Sequence, residues 1–312
     1  MLCYHILVKG PRKLMRIIVL SILISVLPIA HSTAAPRVIA DIAPVHGLVA
    51  RVMMGIGTPV LLVEPGASAH NFSLSPSNTK ALARATVVFW VGEPLTPWLK
   101  KPIENVAKNA KSVELLSLSE KFLLPVRTSH KHGHTHQHGH SLENFDAHAW
   151  LDPKIASYWL KIIAESLSVI DPKNSEKYRE NSEAGQLQIE SSLMELSKKL
   201  GPLEDVPVAA YHDAYQYLEH RFSLKFVGAI ADGDATPPSA RRIAELRKRL
   251  NQYEAFCILT EPQYPSQLIQ SISSKNYVRL GIIDPLGKDI PTGPGFYTAF
   301  LKSIGNSLSS CM

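Results

Sequence analysis

The chain has 312 residues, 45% hydrophobic and 19% charged, which is enough length for two domains and too apolar a composition for a disordered protein. Its formal charge of +6 invites a nucleic-acid partner, but Lys9, Arg12, Lys13 and Arg16 all fall in the first 34 residues, which hold no acid. Without that stretch the net charge is +2, and the sequence argues against nucleic acid.

The N-terminal stretch has its own logic. "KGPRKLMR" is a positive segment, "IIVLSILISVLPIA" an apolar run, and Ser32 and Ala34 fit the small positions of a cleavage site. The run is short for a membrane span, which needs about 20 apolar residues. Residues 1–34 therefore read as a cleaved signal peptide, with Met15 as an alternative start, and the mature protein is expected outside the cytoplasm. Cys3 leaves with the signal. Cys257 and Cys311 remain as an even pair in an oxidising compartment, a disulfide being favoured over two unrelated thiols.

Beyond residue 34, short apolar runs alternate with helical patterns. "RVIADIA", "PVLLV", "ATVVFWVG", "VPVAAYH", "FCILTE" and "VRLGIID" read as buried strands. "HGLVARVMMGIG", "PSNTKALARA" and "PSARRIAELRKRLNQ" read as helices between them, so the fold class is α/β with mainly parallel sheets. The middle breaks this rhythm. Two long helical stretches, each opening on Asp-Pro, follow one another with no strand between them. In the second, Ile189, Leu193, Leu196 and Leu200 recur at helical spacing, and Gly201 and Pro202 stop the pattern. This helix reads as a strut between two lobes, the alternative being an ordinary packing helix inside one domain. The expected layout is an N-terminal lobe over 35–170, a linking helix over 171–203 and a C-terminal lobe over 204–312.

Four residues stand just past a strand or in a polar turn: His70 in "EPGASAHNF", His148 in "DAHAWLDP", His212 ending "VPVAAYH" and Asp284 ending "VRLGIID". Ligands of open α/β sheets collect beyond the carboxyl ends of the strands. Three imidazoles and a carboxylate suit zinc, which takes four N, O or S donors in a tetrahedron. Taken singly each signal is weak, because no HExxH or CxxC spacing supports it.

Together the blocks say more. "ASAHNFSLSPSN", "DAHAWLDP", "YHDAYQYLE", "LTEPQYPS" and "IIDPLG", in this order, resemble the motif blocks of the ZnuA family, the zinc-specific branch of the TroA-like metal-binding proteins of ABC importers. The resemblance spans nearly all of the chain after residue 34. It implies two α/β lobes joined by a long rigid helix, a zinc ion in the cleft between them, and a monomer that meets a membrane permease and its ATPase. It carries ligand roles onto His70, His148 and His212, with Asp284 or water as the fourth donor. Manganese-binding relatives have a glutamate where this chain has His212, and the softer imidazole favours zinc. Some zinc members have a glutamate where this chain has Ala69, which removes that option here. Glu261, in "TEP", is expected either to hold a histidine N–H or to cap the next turn. Cys257 and Cys311 match the C-terminal disulfide of the zinc members.

One feature remains. His130, His132, His134, His136, His138 and His140 fall at every second position of "HKHGHTHQHGH", a run with no apolar residue to pack. Such a run belongs in a loop and offers several weak, interchangeable metal sites. It reads as an accessory zinc-capturing or zinc-sensing loop, the alternative being a solvated loop that meets metal incidentally. The rival functions are a manganese or iron receptor of the same family, a zinc hydrolase using Glu261 as base, and a metal-buffering or adhesive surface protein.

Overall fold

A computed structural model of the chain describes residues 35–127, 142–231, 238–262, 272 and 277–312. Residues 1–34, expected to be a signal peptide, and the histidine run from His130 to His140 lie outside the described residues.

Two four-stranded parallel sheets organise the molecule. The first is built from β1 (Val38–Ala40), β2 (Val60–Leu61), β3 (Val87–Trp90) and β4 (Lys111–Glu114), in the spatial order β2-β1-β3-β4. The helices α1 (Ala43–Val52), α2 (Pro76–Ala83) and α3 (Pro97–Asn105) connect its strands. The second sheet contains β5 (Val208–His212), β6 (Phe226–Ala231), β7 (Ala255–Thr260) and β8 (Tyr277–Ile282), in the order β6-β5-β7-β8. Here α6 (Gln216–Phe222) and α7 (Ala240–Leu250) make connections, and α8 (Phe296–Ser309) closes the chain. Between the sheets in sequence come α4 (Pro153–Ile170) and α5 (Ser175–Leu200). In each sheet the first and third strands are the inner pair. Helices cover both faces there, and so every residue of "VVFW" in β3 is buried.

Six of the eight strands coincide with apolar runs in the sequence. The two others, β4 ("KSVE") and β6 ("FVGAIA"), are edge strands. β4 buries only Val113, which leaves it almost no hydrophobic signature.

The Asp-Pro starts of the two long helices behave differently. Asp152 caps α4, accepting from Lys154 N at 2.8 Å. Asp171 instead accepts from Asn174 Nδ2 and the buried Tyr178 hydroxyl, Pro172 opens a 3-10 turn, and α5 starts only at Ser175. α5 is the strut, and small residues let it approach both lobes. A Cβ on Gly185 would stand 2.9 Å from Leu160 of α4, and one on Gly305 of α8 would stand 2.6 Å from Leu196 of α5. Asn181 of α5 also donates to the carbonyls of Val52 and Met54 at the end of α1. One continuous hydrophobic core therefore runs from Val38 in the first sheet to Leu308 in α8. Cys257 of β7 and Cys311 are joined by a disulfide, which ties the C-terminus to an inner strand.

Candidate metal centre

The lobes meet where the strands of both sheets end. Trp150 donates its indole N–H to the carbonyl of Pro285 at 2.8 Å, and the Tyr297 hydroxyl donates to the Trp150 carbonyl at 2.6 Å. Three histidines converge beside this seam. His70 stands in the turn after β2, where Trp98 holds the preceding Ala69 carbonyl at 2.7 Å. His148 precedes the short 3-10 turn Ala149–Leu151 that leads into α4, and His212 is the last residue of β5. The Nε2 atoms of His70 and His148 are 3.4 Å apart, and those of His148 and His212 are 3.5 Å apart. The ligand atoms of all three lie within 4.8 Å of one another.

The opposite ring edges explain why these nitrogens face each other. His148 Nδ1 lies 2.7 Å from Asp146 Oδ1, and His212 Nδ1 lies 2.5 Å from Glu261 Oε1. A carboxylate accepts, so each Nδ1 carries a ring proton, and in the neutral ring each Nε2 then presents a lone pair. Glu261 is itself held by the Tyr215 hydroxyl at 2.9 Å, and Asp146 Oδ1 also accepts from His148 N at 2.9 Å. Lone pairs turned towards one another in a buried place repel unless a cation sits between them. Donors about 2.0–2.1 Å from a tetrahedral zinc stand ~3.3 Å from one another, close to the spacing found.

Asp284 is not in this group. Its Oδ1 accepts from Leu286 N and Gly287 N at 2.9 and 3.0 Å, and its Oδ2 from Lys288 N at 2.7 Å. The carboxylate thus stabilises its own turn, whose Pro285 and Leu286 form one wall of a cavity of about 20 Å³ beside the three histidines. A wider pocket of about 430 Å³ adjoins it, sharing His70 and His148 and bordered by Glu143, Asp146, Asp213 and Gln216. Burial pushes the Asp213 carboxyl up, against the pull of the Arg127 guanidinium. Sequence reasoning missed Asp146, Tyr215 and Arg127. Asp146 had a signal, a carboxylate two residues ahead of a candidate histidine; the other two act through tertiary contacts.

Two lobes, a joining helix and imidazole donors meeting in the cleft are the marks of a metal-binding, solute-receptor type of protein. Residues 38–311 match the model of the family described as "ZnuA: Zinc-uptake complex component A periplasmic". The chain belongs to this ZnuA family. The high-affinity zinc uptake system protein ZnuA of Brucella abortus is 32% identical over 304 residues, covering 88% of this chain and 91% of the relative. Its counterpart in Paracoccus denitrificans is 30% identical, covering 89% and 92%. A crystal structure of ZnuA superposes with a TM-score of 0.71 at 20% identity, over 89% of this chain and 99% of that one, a likeness of fold.

Proposed function

We propose that the chain is an exported zinc receptor that captures Zn²⁺ in the periplasm and delivers it to the permease and ATPase of an ABC importer. The observation that carries this reading is the trio of Nε2 atoms at 3.4 and 3.5 Å, two of them with their Nδ1 committed to carboxylates. His70, His148 and His212 are the ligands, Asp146 and Glu261 orient two of the rings, and water takes the fourth position. Asp284 shapes the wall rather than reaching the ion. The all-imidazole set favours zinc over manganese, which prefers oxygen donors. The protein acts as a monomer, in lobes over 35–170 and 204–312 joined through 171–203. The histidine run serves accessory zinc capture.

Catalysis is not part of this reading. The cavity of about 20 Å³ beside the histidines has room for little more than a water. Glu261 is occupied by His212 and Tyr215, and so is not free to act as a base.

The test is calorimetric titration of the metal-free protein with zinc and with manganese, with residues 130–140 present and deleted. One tight zinc site surviving the deletion, with weak manganese binding, is the expected result. Loss of tight binding on deletion contradicts it. Restored growth of a transporter-deficient strain under zinc limitation tests the delivery step.

A further inference from the structure

The wider pocket shares His70 and His148 with the metal centre, and among the described residues lining it Arg127 reaches from one side to the other. Arg127 follows β4 and belongs to the first lobe. Its Nη2 pairs with Glu219 of α6, and its Nε stands 3.3 Å from Asp213, the residue after His212. Its guanidinium also lies over the ring of Phe226 in β6, 4.5 Å from the centroid. All three contacts are to the second lobe.

The backbone before Arg127 is docked on the same helix. Leu124 N donates to the Tyr217 hydroxyl at 3.1 Å, and Gln216 Nε2 donates to the Pro125 carbonyl at 3.0 Å. A short ladder, with Val126 N donating to Asn144 O and Asp146 N to Leu124 O, then links this segment to the residue that orients His148. Arg127 and Asp213 both line the wider pocket. A second ion pair between the lobes, Arg221 bonded through Nε and Nη2 to Asp152, borders neither cavity.

We infer that Arg127 is a latch across the mouth of the metal cleft, holding the first lobe to Asp213 and Glu219 and so slowing the departure of zinc. The inference rests on the zinc reading above. A latch acts on the escape of a bound ion more than on its capture, because an entering ion meets the cleft in whichever state is open, whereas a bound one waits for the pair to part. Arg127 touches no ligand nitrogen; it is a positioning residue.

The experiment measures zinc release from the loaded full chain into excess chelator by stopped flow, together with the association rate and the melting temperature. Arg127→Ala is expected to release zinc about tenfold faster, with association changed less than twofold. Arg221→Ala, as the comparison, should lower the melting temperature and leave release within twofold of the parent. Glu219→Gln should also speed release, and the double variant should be no faster than Arg127→Ala alone, because both act on one latch. Should Arg127→Ala fail to fold, Glu219→Gln and Arg127→Lys carry the same comparison. Release at the parent rate from a zinc-loaded Arg127 or Glu219 variant overturns the latch. Absence of tight zinc binding in the parent instead overturns the zinc reading.

Discussion

The two sheets have the same strand order, yet the crevice between the first and third strands is used in opposite ways. In the first lobe, Asp41 follows β1, and its carboxylate turns inward to accept from Ile42 N and from Val91 N just past β3, both at 2.8 Å. In the second lobe the corresponding crevice holds His212, at the end of β5, and Glu261, just past β7, and this pair looks out into the cleft. One switch point is sealed by a buried carboxyl; the other presents an imidazole to the cleft, where the proposed function places a ligand. The first lobe compensates by presenting His70 and His148 from turns outside its sheet. On the proposed reading, a single architecture thus offers metal donors by different routes, and the side chain at the end of the inner strand decides which.

Substitutions can break that contrast in graded steps. His212→Ala should have the largest effect, lowering zinc affinity by at least ~100-fold in a chelator competition, since it removes a donor from the open switch point. Glu261→Gln and Asp146→Asn leave the donors in place but release the ring orientation, and each should cost about 10–100-fold by the same assay. Asp284→Asn should change affinity by less than about fivefold, because the amide oxygen still accepts within the 285–288 turn; a loss matching His212→Ala would make Asp284 a ligand after all.

The sealed switch point should not touch zinc binding but should mark stability. Burial pushes the Asp41 carboxyl up to about 7 from an ordinary value of 3.8, overcoming the backbone donors that favour its charged form. Between those values the folded chain keeps a proton that the unfolded chain has lost, so this group's contribution to stability falls as pH rises from about 4 to about 7. Asp41→Asn removes the titration and forfeits one backbone hydrogen bond. Denaturant unfolding should therefore find the variant less stable by about 1–2 kcal/mol at pH 5, with the gap closing and changing sign by pH 8. A gap that stays constant with pH would show that Asp41 is charged in the folded state throughout.

Much of this architecture was legible in the sequence, for definable reasons. Inner strands such as β3 and β7 are buried on both faces and read as unbroken apolar runs, while β4, with its single buried valine, does not. His70, His148 and His212 were candidates because they stand past a strand or in a polar turn, weak signals singly, and the structure brings the three together. Asp284 drew the same inference from the same position, but "DPLG" is also a turn signal, and in the structure its carboxylate is taken up by three backbone N–H groups. Glu261 was expected to hold a histidine N–H or to cap a turn, and it holds His212 within its own lobe; Arg127, by contrast, meets Glu219 across 92 positions and Tyr217 meets Leu124 across 93. No spacing rule reaches contacts that exist only after the lobes have met.

The central claim is that one zinc ion is held by three imidazoles of the cleft and not by the histidine run. X-ray absorption at the zinc edge tests it most directly, on protein loaded with a single equivalent, with residues 130–140 present and deleted. The account predicts three imidazole nitrogens and one oxygen at about 2.0–2.1 Å, with the spectrum unchanged by the deletion. Four or more imidazoles, or a first shell that changes when the run is removed, would contradict it.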